Sequence, residues 1–96
     1  MRILIVEDEP KLASVISRGL EEQGYQTLVA ANAAEAIAAV RVGHLDLMLL
    51  DISLPDRDGH AVLAEARRVR RDLPVIMVTA RDDVASKIDA LNSGAD

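Results

Sequence analysis

The sequence predicts an α/β fold in which a parallel sheet carries helices on both faces. Short apolar strands alternate with amphipathic helical segments along all 96 residues, a pattern typical of parallel strands joined by right-handed crossovers. Three strands run directly into polar side chains: residues 3–6 into Glu7 and Asp8, residues 47–50 into Asp51, and residues 75–78 into Thr79. Ligands bind at the carboxyl ends of strands in open α/β sheets, so this convergence indicates a functional site.

The first strand and helix are predicted from the proline and glycine at the helix ends and from the spacing of apolar residues. The strand Arg2–Val6 is followed by a helix with Pro10 in its first turn and Gly24 at the position of a C-terminal cap. The apolar positions of this helix recur at helical spacing. They are Leu12, Val15, Ile16, Gly19 and Leu20.

The second strand and helix follow the same logic. Gln26–Ala30 alternates in part between apolar and polar residues, as an edge strand would. Asn32 and Glu35 form a start that resembles a capping box. The helix is expected to run to about Val42 and to close at Gly43.

The remaining elements complete the alternation. The third strand is expected over residues 46–52 and a loop over residues 54–59, where Pro55 and Asp58 indicate turns. A helix to about Arg71, a strand over residues 74–79 and a last helix ending at Gly94 follow. Glu9 and Asp58 each precede or open a helix and are expected to cap it.

Composition limits the classes of protein to consider. Half of the residues are hydrophobic, enough for one small domain with a real core, and the absence of cysteine fits a reducing cytoplasm. No apolar run approaches the roughly 20 residues of a membrane span. A net charge of −5 argues against nucleic-acid binding by the domain itself.

The carboxylates at the strand ends indicate metal chemistry. Two carboxylates about 4 Å apart repel by roughly 4 kcal/mol at an effective dielectric constant near 20. Glu7, Asp8 and Asp51 must therefore either raise a pKa or bind a cation, and oxygen ligands with open positions suit Mg²⁺. An aspartate beside Mg²⁺ can attack a phosphoryl group, to which the Thr79 hydroxyl could donate a hydrogen bond.

Three motifs give the sequence a family resemblance. Residues 3–9 (ILIVEDE), 49–59 (LLDISLPDRDG) and 75–81 (VIMVTAR) together resemble a receiver domain, the phosphoacceptor module of bacterial two-component response regulators. The last two motifs look most like the OmpR/PhoB type, whose members carry a winged-helix DNA-binding domain. The resemblance implies a flavodoxin-like sheet with strand order 2-1-3-4-5.

The resemblance also implies roles for individual residues. Asp51 would be phosphorylated by a histidine kinase, Asp8 and Asp51 would bind Mg²⁺ directly, and Glu7 would act through a metal-bound water. Three further positions complete the implied site. They are Ser53, whose backbone carbonyl would bind the metal, Thr79, the switch hydroxyl, and Ala80, which leaves room for the phosphoryl group.

The chain departs from the family pattern at its end. A receiver continues with a fifth strand, a lysine that pairs with the phosphoryl group, and a fifth helix, whereas this sequence stops at Asp96. Residues 1–96 are therefore expected to form a receiver domain that is incomplete at its C-terminus, with strand order 2-1-3-4. We expect inefficient phosphorylation, and self-association through an uncovered fourth strand.

Two alternative functions stay open beside the cytoplasmic, non-enzymatic phosphoacceptor. The chain could be a truncated interaction module without phospho-switching. It could also be an aspartate-nucleophile phosphatase of the haloacid-dehalogenase type, although that chemistry needs a second aspartate where Ser53 stands. If the chain is a signalling receiver, we expect DNA to be contacted only by a separate output domain.

Overall fold

The part of the chain that the structure describes folds as a four-stranded parallel sheet flanked by helices. A computed structural model describes residues 1–51, 54 and 58–78. The elements are β1 (Arg2–Val6), α1 (Pro10–Glu22), β2 (Gln26–Ala30), α2 (Ala33–Val42), β3 (Leu47–Asp51), α3 (Gly59–Val69) and β4 (Val75–Val78). The sheet order in this part of the chain is β2-β1-β3-β4. The predicted flavodoxin-like α/β class and the strand order 2-1-3-4 are confirmed, with β2 at an edge.

The main core lies between the sheet and the pair α2–α3. Alternate residues of a strand point to opposite faces, and one face of the sheet packs with α2 and α3 in a single apolar cluster. Its fully buried members include Leu4, Met48, Leu50, Val62 and Val75. The opposite face carries Ile3 and Ile5, both buried, on the side where α1 packs against β1 and β2.

The helix caps agree with the local sequence. The Asn32 side chain accepts a hydrogen bond from the Glu35 N–H at 2.9 Å, and the Glu35 carboxylate accepts one from the Ala31 N–H at 2.9 Å. Asp58 accepts one from the His60 N–H at 2.8 Å. Gly24 has a φ of +92°, a conformation that favours glycine just past a helix end. These local interactions fix where the helices begin and end.

Several helices and strands begin or end at other residues than predicted. The third strand starts at Leu47, one residue later than predicted. Asp46, just before it, is joined to Arg2 by two hydrogen bonds: its N–H donates to the Arg2 carbonyl at 2.8 Å, and its carboxylate accepts from the Arg2 N–H at 2.7 Å. Gly59, predicted in a loop, is the first residue of α3. This helix ends at Val69, short of Arg71, because Arg70 is extended and its guanidinium donates to the Leu45 carbonyl.

Two predictions on α1 are wrong in part. Glu9 occupies the N-cap position but makes no side-chain cap hydrogen bond. Its carboxylate therefore does not cap the helix as expected. Val15 was placed on the apolar face of α1 but is 67% exposed, and Ala13 is the buried residue of this helix.

Some predicted features lie outside the described residues. They are Ile52 at the end of the third strand, residues 55–57 of the loop, Thr79 and the last helix with its apolar residues Val84, Ile88 and Leu91. The expected absence of a fifth strand and fifth helix also concerns the chain beyond residue 78. These features remain predictions. In the part of the chain that is described, no helix has the length and apolar character needed to cross a membrane.

Candidate functional site

Three acidic side chains meet at the carboxyl edge of the sheet. Val6 of β1 pairs with Leu50 of β3, so the next residues on the two strands, Glu7 and Asp51, reach the edge side by side. Asp8 follows Glu7 in the chain. Carboxylate oxygens of Glu7, Asp8 and Asp51 lie within 4.8 Å of one another. The register of two parallel strands thus assembles the cluster that the sequence predicts.

Burial distinguishes this cluster from ordinary surface acids. Glu7 is 5% exposed and Asp51 is 4% exposed, and they are the charged residues buried within the described part of the chain. Asp8 is exposed to solvent. Buried carboxylates cost folding free energy unless they are protonated, paired or bound to a cation. Their position therefore favours a function over a structural role.

Backbone hydrogen bonds hold Glu7 in place. Its N–H donates to the Ala30 carbonyl at 3.0 Å, which extends the pairing of β1 and β2 by one residue. Its carboxylate accepts from the Asp8 N–H at 2.8 Å and from the Glu9 N–H at 3.5 Å. The chain therefore turns around the Glu7 carboxylate, and this turn places Asp8 at the mouth of the cluster.

The surroundings of the cluster change the pKa of Glu7. Burial raises the pKa of Glu7 from 4.5 to about 7, assisted by hydrogen bonds to Asp51 and Asp8 and by the charge of Asp51, while the Glu9 N–H acts in the opposite direction. A cavity of about 400 Å³, lined mainly by apolar side chains such as Ile5 and Leu49, opens beside it. Burial therefore contributes more to the raised pKa of Glu7 than the carboxylate repulsion expected from the sequence.

The donor set fits a hard divalent cation. Three carboxylates offer oxygen ligands only, and Mg²⁺ takes few carboxylates while keeping several waters. Asp8 is open to solvent, so a hydrated ion could reach the cluster from outside. A bound cation would also relieve the mutual repulsion of Glu7 and Asp51.

The predicted site residues divide into two groups. Glu7, Asp8 and Asp51 are brought together, whereas Ser53, Thr79 and Ala80 lie outside the described residues. Sequence reasoning missed the degree to which Glu7 is buried and titrates near neutrality. The signal was available in part, because Glu7 is the first residue after an apolar strand and Asp8 is the second.

Comparison with known proteins gives consistent matches. The family model of the response regulator receiver domain matches residues 3–96. Transcriptional regulatory protein TcrA of Mycobacterium tuberculosis is 45% identical over 96 residues, which are the whole of this chain and 38% of TcrA. The chain therefore spans about two fifths of the length of this curated relative.

Solved structures agree in fold. A CheY-like response regulator receiver domain protein from Methanospirillum hungatei superposes with a TM-score of 0.86 at 37% identity, over 99% of this chain and 76% of that one. Response regulator protein TrrA from Thermotoga maritima, solved in complex with Mg²⁺-BeF, gives a TM-score of 0.84 at 33% identity, over 98% of this chain and 82% of that one. With the family model matching nearly the whole sequence, the chain belongs to the response regulator receiver domain family.

Proposed function

We propose that Asp51 accepts a phosphoryl group from the phosphohistidine of a histidine kinase. A carboxylate oxygen of Asp51 would attack phosphorus while the bond between phosphorus and the imidazole nitrogen breaks, which leaves an acyl phosphate on Asp51. The observation that carries this proposal is the position of Asp51, the last residue of β3, within 4.8 Å of two further carboxylates. Family membership favours this role over the phosphatase alternative.

The cluster is proposed to hold Mg²⁺ for this transfer. Asp8 and Asp51 would bind the ion directly, Glu7 through a water, and the backbone carbonyl of Ser53 would add a ligand. Bound Mg²⁺ would neutralise negative charge on the phosphoryl oxygens. The complex of TrrA with Mg²⁺-BeF supports an ion of this kind in a related protein.

The protein's own groups have distinct tasks in this proposal. Asp51 would supply the nucleophile, and because it is only 4% exposed, few water molecules would reach it from bulk solvent. Glu7 orders the turn that positions Asp8 by accepting the Asp8 N–H. Thr79 would donate its hydroxyl to the phosphoryl group, and Ala80 would leave space for that approach.

The wider role is proposed from the relatives. TcrA and PcoR of Escherichia coli are named transcriptional regulatory proteins. This supports a cytoplasmic response regulator of the OmpR/PhoB type, in which phosphorylation of the receiver controls a DNA-binding output domain. The receiver would act as a phosphoacceptor rather than as an enzyme that turns over a substrate.

Intact-mass spectrometry tests the proposal. The protein is incubated with acetyl phosphate and Mg²⁺, and we expect a gain of one phosphoryl group that is lost in Asp51→Asn. Asp72→Asn is the matched control, because Asp72 is an exposed aspartate that pairs with Arg70 away from the cluster. Phosphorylation that persists in Asp51→Asn, or that does not depend on Mg²⁺, would contradict the assignment.

A further inference from the structure

A second cavity, with a largely polar lining, lies between α2 and α3 at their C-terminal ends, away from the acidic cluster. It has a volume of about 330 Å³ and is lined by Arg41, Glu65, Arg68 and Val69. The two helices pack against each other, and these residues belong to their C-terminal halves. We call this feature the α2–α3 cleft.

The arginines among residues 67–71 differ in their contacts. Arg67 donates to the carbonyls of Arg71 and Leu73, at 3.1 and 2.6 Å. Arg70 donates to the Leu45 carbonyl and pairs with Asp72. These two guanidiniums hold the end of α3 against the segments that lead into β3 and β4. They are therefore structural, and they are not available to a ligand.

Arg68 and Arg41 are different. Within residues 1–51, 54 and 58–78, neither guanidinium has a hydrogen-bond or ion-pair partner, and both residues are exposed. They come from adjacent helices and line the same cavity. Guanidinium groups bind carboxylates through paired, charge-assisted hydrogen bonds. Two such groups at one cleft therefore form a receptor for acidic side chains.

Apolar side chains accompany these arginines. Val42 is 75% exposed and Val69 is 38% exposed, and each directly follows one of the two arginines in sequence. Both valines therefore keep apolar surface in contact with water in this fold. Burial against a partner would remove that surface from water.

We propose that the α2–α3 cleft is a docking surface for an acidic segment of another protein that carries an apolar side chain between its carboxylates. Arg41 and Arg68 would bind the carboxylates, and Val69 would contact the apolar group. Two guanidinium groups and the Glu65 carboxylate line this cleft, a balance that suits a segment with few, spaced carboxylates. The dense charge of a polyanion such as DNA would be repelled more strongly by Glu65 and by the net charge of −5. A protein segment with spaced charges fits better than a free phosphate.

A peptide titration monitored by NMR tests this surface. The probe is a synthetic peptide in which pairs of glutamates flank one leucine, compared with the same peptide carrying glutamines. At low ionic strength we expect the glutamate peptide to shift the Arg41 and Arg68 guanidinium signals and the Val69 methyl signals. Arg41→Glu and Arg68→Glu should each weaken binding by about tenfold or more, because each loses a charge-assisted contact and gains a repulsion.

The controls make the outcome decisive. Arg18→Glu changes the charge equally on the exposed side of α1, so it should change the dissociation constant less than about twofold. Arg68→Gln tests loss of the guanidinium without charge reversal. The proposal is overturned if the glutamate peptide leaves the cleft signals unshifted, or if Arg18→Glu weakens binding as strongly. It is also overturned if inorganic phosphate or a short DNA duplex shifts the same signals at lower concentration than the peptide.

Discussion

Replacement of Glu7 by glutamine should stabilise the metal-free protein at high pH. Glu7→Gln keeps a side-chain carbonyl that can accept the Asp8 N–H, the bond that is 2.8 Å long in the structure. The variant removes the negative charge that Glu7 brings next to Asp51. The gain in the free energy of unfolding should therefore depend on how fully Glu7 is ionised.

The pKa of Glu7 sets the size and the sign of this effect. Its pKa is about 7 in the folded protein and 4.5 without the fold, so the folded state binds more protons than the unfolded state between these values. The contribution of Glu7 to stability therefore falls as the pH rises from 4.5 to 7, by at most about 3 kcal/mol. We expect Glu7→Gln to be more stable than the wild type by about 1–3 kcal/mol at pH 8, and by less than about 1 kcal/mol at pH 5.

Urea unfolding followed by circular dichroism at pH 5 and pH 8 measures this difference. Addition of Mg²⁺ at pH 8 should reverse the order, because a bound cation favours the ionised carboxylate and stabilises only the folded state. Glu22→Gln, an exposed glutamate at the end of α1, is the matched control. An equal gain for Glu7→Gln at both pH values would show that its ionisation is not what costs stability.

Three further predictions concern the cation, a helix cap and assembly. Asp8→Ala should weaken Mg²⁺ binding at least about tenfold by calorimetry, whereas Lys11→Ala should leave it nearly unchanged; equal affinities would remove Asp8 from the site. Asp58→Ala should cost about 1 kcal/mol in thermal unfolding by loss of the hydrogen bond from the His60 N–H, and an unchanged melting temperature would refute that role. Val75–Val78 is apolar throughout and is the last strand of the sheet among the described residues. If no further segment pairs with this strand in a chain of residues 1–96, that chain should associate with rising concentration in sedimentation runs; a monomer at tens of micromolar would show that the strand is covered.

Local sequence was sufficient where the physical cause was local. The cap formed by Asn32 and Glu35 and the positive φ of Gly24 follow from interactions within a few residues. The acidic cluster was also predictable, because parallel strands that end on carboxylates bring them to one edge of the sheet. The family resemblance then supplied the strand order that makes β1 and β3 neighbours.

Features set by distant contacts were not predictable in the same way. The end of α3 depends on the bond from Arg70 to the Leu45 carbonyl, 25 residues away. Val15 satisfies the helical period of α1, yet no described element covers it and it is 67% exposed. Periodicity locates a helix, but it does not determine which of its apolar residues find a partner.

Negative and positive charges lie at opposite ends of the sheet. Their separation determines how strongly binding at one end affects binding at the other. The acidic cluster lies at the carboxyl end of β3, while Arg70 is anchored near its amino end through the Leu45 carbonyl. A strand of five residues separates the two ends by roughly 17 Å. The screening length in 0.15 M salt is about 8 Å for exposed charges, so the exposed charges at the two ends of the sheet interact only weakly. A partner bound at the α2–α3 cleft, next to the end of α3 that Arg70 anchors, should therefore change the cation affinity of the acidic cluster little in physiological salt. The effect should grow as the ionic strength is lowered.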